Sequence, residues 1–426
     1  MRRFGDRVWN SQTTNSGRRS RPAAAAVHCI VRVALAFALL AALGAVATAQ
    51  TYTVLYSFAG GADGMGPGPI IRDATTGNLY GVTSSGGAGG VCDRGCGTVF
   101  ELTPAGVESV LHSFIGNADG IEPLDVFRDA KGEVFGTTLL GGPHGGDGTV
   151  FRISSKGAEK ILHSFKGGTD GAEPTSGLIQ DPNTGDFYGV TASGGAYSDG
   201  TVYRITSAGS TTILYSFGAK GTLGNGPEGR LVQNGTTGNL YGMLTFGGMG
   251  CGVVFELTPA GVETTLHVFG QVSGDGCEPG PGDPGLIMDM QGNLFGTTYY
   301  GGNSGNGVVF ELTADGTEKV LYKFKGKKKG DGAQPYAGLV LDVSTGNLYG
   351  TTELGGAYDS GTIFELSPPI KKNGAWNESV LYTFTGGTDG SLPLAGLILD
   401  TQTGNLYGTA AGGGTYGYGV AFRLMP

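Results

Sequence analysis

Charge, tryptophan, histidine and helical periodicity are all scarce in this 426-residue chain, and each shortage narrows what it can do. Charged residues make up 15% of the sequence; set aside the first 49 residues, with seven arginines and one aspartate, and 20 basic residues face 35 acidic ones, a net charge of −15. That balance argues against nucleic acid and anionic membranes as partners. There are five histidines, and no nucleophile elbow, phosphate loop or histidine cluster at metal-ligand spacing. Only Trp376 lies beyond the leader, where a dedicated lectin would more often show repeated tryptophans. No stretch beyond residue 49 has helical periodicity, so the folded part is read as all-β. In excess is glycine, 84 residues with no collagen-like period, and therefore many turns.

Residues 1–49 differ from the rest. Arg2, Arg3, Arg7, Arg18, Arg19 and Arg21 precede an alanine- and leucine-rich run from Ala23 to Ala47, and Ala47-Thr48-Ala49 offers a cleavage site before Gln50. This reads as a secretory signal peptide, with 50–426 as the mature domain. An uncleaved anchor is the alternative, disfavoured because Arg32 interrupts the apolar run. Four cysteines remain, Cys92, Cys96, Cys251 and Cys277, an even number in a chain bound for an oxidising compartment, so two disulfides are the default reading. Zinc is the weaker reading, because VCDRGC has the wrong spacing for a ribbon.

Three signatures each occur seven times with a period of 51 to 60 residues: GNLYG, GTVFELT and an LYSF-type ending. A unit of that size cannot bury its own apolar face, so its neighbours must. Unit three shows four short strands: GLIQD (177–181), DFYGVT, GTVYRIT and TTILYSF, separated by turns rich in Gly, Asn and Asp. Four antiparallel strands, seven times over, predict a seven-bladed β-propeller, with a β-solenoid as the main rival. Named A to D from the axis outward, the strands begin with a D strand, TYTVLYSF (51–58), and end with a C strand, GVAFRLM (419–425). The first stretch is therefore expected to close the ring as the outer strand of the last blade.

The motifs GTVFELTPAGVESVLHSF (97–114), DGAEP (170–174) and GNLFGTT (292–298) are similar to those of the GloVer tandem-repeat family of bacterial secreted proteins, over essentially all of 51–426. The resemblance implies an extracytoplasmic repeat protein and no established activity. Family members carry varied C-terminal anchors; here Pro426 follows the last strand by one residue, so an unanchored secreted or periplasmic protein is expected.

The B–C and D–A loops share one face, hold the longest loops and are where a site is expected. Asp-Gly recurs in the D–A loop at Asp63, Asp119, Asp170, Asp275, Asp331 and Asp389, with Asn225-Gly226 in unit four. These aspartates read as turn residues, with calcium ligation as the alternative; no other cofactor is expected. Near the axis, where units three and five to seven place Gly177, Gly285, Gly338 and Gly396, units two and four place Asp125 and Arg230, which either pair or orient a ligand. In the same strands Arg72 and Arg128 line units one and two. Tyr197, Tyr299, Tyr300, Tyr358, Tyr416 and Tyr418 gather in the B–C loops, as contacts for sugars or proteins or as local packing. His112, His163 and His267 fill a repeat slot of the outer strand, and His144, with Asp147, is the one histidine in a loop of the site face. Cys251–Cys277 is sterically reasonable across that face, leaving Cys92–Cys96 as a small loop. The resulting expectation is a monomeric, secreted binding propeller for a polysaccharide or protein, with no membrane contact after cleavage. The alternatives are a carbohydrate-active hydrolase or lyase in the channel funnel, or a surface scaffold.

Overall fold

The computed structural model describes residues 50–426 apart from 219–223, 249, 281, 284 and 372–373, so the expected signal peptide lies outside the described residues. Seven antiparallel sheets of the A-B-C-D order follow one another along the chain: blades 1 to 6 span 65–113, 121–164, 172–216, 224–268, 276–323 and 332–383. Among the described residues, helix is limited to single 3-10 turns at Gly168–Asp170 and Lys327–Lys329. The second of these turns is the lysine run, with Lys327 3.7 Å from Asp359.

Blade 7 takes three strands from the end of the chain and its fourth from the beginning, as expected. Thr51–Ser57 pairs antiparallel with Val420–Met425, Thr51 opposite Met425 and Ser57 opposite Val420. Tyr52 stacks on Tyr382 of blade 6 at 3.9 Å and donates to the Asp389 carbonyl at 2.6 Å.

Two contacts explain why the repeat signatures are what they are. The phenylalanine ending each D strand is fully buried or nearly so, and meets the C-strand aromatic ring of the next blade edge-on: Phe58 with Phe100, Phe114 with Phe151, and so on to Phe384 with Phe422, at centroid distances of 5.1 to 5.5 Å. Each such pair adds about 0.5–1.5 kcal/mol to the burial itself. The second contact joins the glycine opening GTVF to the proline of D-G-x-x-P in the next blade. Pro123 lies against Gly97, Pro174 against Gly148 and Pro67 against Gly419, so a Cβ on any of these glycines, all at φ near +100°, would strike the proline ring. Glycine and proline thus form one inter-blade joint, repeated through the closing junction.

That joint also fixes the residue before each proline. Gly66, Glu122, Glu173, Gly226, Glu278, Gln334 and Leu392 all have φ between 54° and 64°. Each donates its backbone N–H to the carbonyl of the residue preceding the joint glycine, Glu122 to Cys96 at 2.9 Å and Gln334 to Asn306 at 2.8 Å. This register corrects unit four: Asn225-Gly226 does not occupy the Asp-Gly slot. Gly226 takes the pre-proline position and Asn225 pairs across the sheet with Phe246, which puts the slot at 223–224.

Candidate functional site

The inner strands enclose an axial funnel of about 260 Å³ on the face carrying the D–A and B–C loops, lined from six of the seven blades. Blades 1 and 7 contribute an apolar wall: Pro67, Pro69, Leu394, Ala395 and Ala411. Acids come from the other side. Glu122 and Asp283 line the cavity together with Tyr336, and among the described lining residues there is no Lys or Arg.

Burial raises the Glu122 carboxyl above its ordinary value. Burial also raises Glu228; Thr245 donates to it at 2.9 Å, and the Glu278 charge pushes it further up. Tyr336 is raised by burial and then by Glu228, Glu353 and Glu122, which places its hydroxyl within the field of three blades' carboxylates. Tyr299 donates to Glu353 at 2.7 Å and sits edge-on to Tyr336 at 6.1 Å. Ser193 donates to Glu173 at 2.9 Å. Two acceptors, Glu122 and Asp283, thus share the lining with the apolar residues, and further carboxylates stand around Tyr336.

Beneath these residues the channel is plugged. Blade 5 carries a lengthened link, GPGDP (280–284), where other units have one or two residues. Its Asp283 crosses toward the far blades: the Asp283 carboxylate accepts from Gly177 N–H at 3.3 Å, its carbonyl accepts from Gly396 N–H at 3.0 Å, and Gly282 N–H donates to the Tyr336 carbonyl at 2.9 Å. Arg230 bridges Asp283, with Nε at 3.1 Å, and Asp125. Asp125 is 1% exposed, and a Cβ on Gly177 would collide with its carboxylate, which explains the glycine opposite it. Burial drives the proton affinity of Asp125 up and neighbouring Asp283 adds to this, against the pull of Arg230. Asp125 and Arg230, which the sequence leaves between pairing and ligand contact, are therefore a mutual pair with a third member. Asp283 is the member that reaches the cavity.

The other sequence-derived residues are dispersed. Arg72 and Arg128 lie at the opposite end of the A strands from the funnel, where Arg72 holds Asp400 of blade 7 at 3.2 Å and Arg128 holds Asp73 of blade 1 while stacking on Tyr80 at 4.8 Å. They are inter-blade ties. Tyr197, Tyr300, Tyr358, Tyr416 and Tyr418 are exposed, and of the six only Tyr299 contacts a funnel residue, the ring of Tyr336. The six Asp-Gly aspartates each bind their own blade's D strand. Asp63 accepts from Ala59 N–H at 2.7 Å and Tyr56 OH at 2.9 Å, Asp119 from Ile115 N–H at 2.9 Å, and Asp389 from Thr385 N–H at 2.9 Å and Tyr382 OH at 2.9 Å. At six of the seven junctions a carboxylate thus anchors the turn at the rim. Both disulfides form as read, Cys92–Cys96 and Cys251–Cys277, the second linking blade 4 to blade 5.

Sequence reasoning missed Glu122, Glu173, Glu278, Tyr336 and Asp283. The first three were visible as the variable residue of D-G-x-x-P, and the last as the one lengthened link between that proline and the A strand.

No curated protein matches the sequence. Among solved structures, Kuenenia stuttgartiensis hydrazine synthase matches with a TM-score of 0.56 and 14% identity, over 82% of this chain and 94% of that one. XC5397 from Xanthomonas campestris, described as a gluconolactonase, matches with a TM-score of 0.43 and 14% identity, over 72% and 88%. At such identity the likeness extends to the fold alone. The model of the Gloeobacter/Verrucomicrobia repeat matches three overlapping stretches, 43–184, 146–344 and 283–426. With the repeat signatures accounted for blade by blade, the chain belongs to the Gloeobacter/Verrucomicrobia repeat family.

Proposed function

We propose that this is a secreted, non-catalytic binding propeller that takes a carbohydrate segment in the axial funnel. The observation that carries the reading is the funnel's mixed lining: the acceptors Glu122 and Asp283 with Tyr336, whose hydroxyl also feels Glu228 and Glu353, and the proline, leucine and alanine wall of blades 1 and 7. Sugar hydroxyls donate to carboxylates, and their C–H faces lie on apolar or aromatic surface. Export is supported by two disulfides and by the leader-like residues 1–49. Among the described residues, no helix is long and apolar enough to cross a membrane.

An enzyme needs a reachable pair of acids. Asp125 and Asp283 are such a pair in position, but Arg230 is bonded to both and Asp125 is buried, so they fit a plug better than an acid–base couple. The test is a glycan and polysaccharide binding screen, with and without calcium, on the parent and on Glu122→Gln, Glu228→Gln and Tyr336→Phe. Binding that weakens roughly tenfold or more per variant, the loss of one or two charge-assisted hydrogen bonds, supports the reading. Binding that is absent, or indifferent to all three, overturns it in favour of a protein scaffold.

A further inference from the structure

A second arrangement recurs at the outer rim, away from the funnel. At six of the seven junctions the D-strand Tyr or His of one blade and its Asp-Gly aspartate face a residue near the start of the next blade's D strand. A complete His, Asp and Glu set occurs at two junctions, His112/Asp119/Glu159 and His267/Asp275/Glu318; elsewhere tyrosine replaces the histidine, as with Tyr322, or Thr211 replaces the glutamate.

The two complete sets differ. Between blades 1 and 2, His112 Nε2 lies 3.1 Å from Asp119 and the two are hydrogen-bonded. Between blades 4 and 5, His267 Nε2 stands 3.7 Å from Asp275 and is a buried atom without a hydrogen-bond partner; Glu318 Oε1 is buried and unpartnered too, as is its equivalent Glu159 Oε1, so the two sets differ at the histidine. The donor atoms of His267, Asp275 and Glu318 all fall within 4.8 Å of one another. A pair of ligands on a tetrahedral ion with bonds of about 2.0–2.2 Å is separated by roughly 3.3–3.5 Å, so 3.7 Å is close to an edge of that tetrahedron. Asp275 is held in place from behind, accepting from Gly270 N–H at 3.0 Å and Gly276 N–H at 2.7 Å. An open groove of about 310 Å³ lined by His267, Gln271 and Val272 gives access from solvent. Lys323 is the lysine that acts on Glu318, and its Nζ is turned to Asn303 Oδ1 at 3.5 Å.

We propose that His267, Asp275 and Glu318 form a divalent-cation site, suited to Zn²⁺, that ties blade 4 to blade 5 beside the Cys251–Cys277 bridge. One imidazole and two carboxylates give the donor set and neutralise the ion's charge, with water in the fourth position. This site is independent of the carbohydrate reading.

The test titrates the purified, tag-free, chelator-stripped protein with Zn²⁺ against a competing indicator, and with Co²⁺ as a visible reporter. One equivalent should bind, with an intense four-coordinate Co²⁺ spectrum that Zn²⁺ removes, and the melting temperature should rise until that equivalent is reached. His267→Gln and Glu318→Gln should each weaken binding tenfold or more, while His112→Gln at the equivalent slot leaves it unchanged. Glu318→Gln, on the neighbouring blade, decides the matter where His267→Gln fails to fold. No binding, a six-coordinate Co²⁺ spectrum, binding that survives Glu318→Gln, or equal loss in His112→Gln overturns the proposal.

Discussion

Ring closure by the first strand makes a quantitative prediction. Phe58 is fully buried and packs against Phe100 of blade 1, so Phe58→Ala removes a core ring that cannot be replaced by small shifts. The cost for such a change is about 3–5 kcal/mol, which in a domain of this size lowers the melting temperature by roughly 4–6 °C. Deleting 50–58 removes that ring, the Tyr52–Tyr382 stack and the ladder to Val420–Met425, and it exposes the edge of the last C strand. The combined loss is comparable to the whole stability of an ordinary domain, about 5–15 kcal/mol. A permuted chain separates closure from composition. Because Thr51 lies opposite Met425, residues 51–58 joined after Pro426 through a short turn, with the chain opened before Ala59, form a hairpin in the same place. Followed by circular dichroism on heating, the deletion should lose its cooperative transition and the permutant should regain it. A deletion that melts like the parent refutes the closure.

Two further outcomes follow from buried charge. Glu108 and Glu378 are raised from 4.5 to about 7, in each case chiefly by burial and then by a neighbouring aspartate, Asp63 or Asp331. A raised acid stabilises the fold fully below the unfolded pKa and loses that contribution as pH climbs through the folded one, so stability falls between pH 4.5 and about 7. Both groups are partly exposed, and after screening each is worth about 1 kcal/mol; denaturant unfolding of Glu108→Gln/Glu378→Gln should show a correspondingly flatter pH dependence than the parent, and an unchanged slope counts against these two acids. Arg230→Met strands Asp125 and Asp283 and should cost about 3–5 kcal/mol, with much of it recovered when Asp125→Leu is added; equal destabilisation of the single and double variants would contradict the plug.

Most of the fold was legible because each signature is repeated seven times and its parts serve nearest neighbours. The glycine of GTVF, the proline of D-G-x-x-P and the D-strand phenylalanine recur because every junction needs the same joint. The closing strand was legible for the same reason, as a repeat element out of order. The site was legible only as a face. Glu122 and Glu278 sit in a loop motif that reads as filler until the positive φ of the pre-proline slot is known. Asp283 belongs to a lengthened link whose glycines and prolines give no hint that it crosses the axis to Gly177 and Gly396. Glu318 alternates along its strand like a solvated residue, and the groups that meet it, His267 and Asp275, lie more than forty residues earlier. Contacts of that range depend on the ring being assembled.

The pre-proline slot has a wider consequence. Its hydrogen bond is made by the backbone, and Gly, Glu, Gln and Leu all occupy it with the same φ and the same bond to the preceding blade. What the slot displays is therefore free of what holds it. Seven such positions recur on one face of the ring, and the residue at each can change without altering the backbone bond that joins the blades.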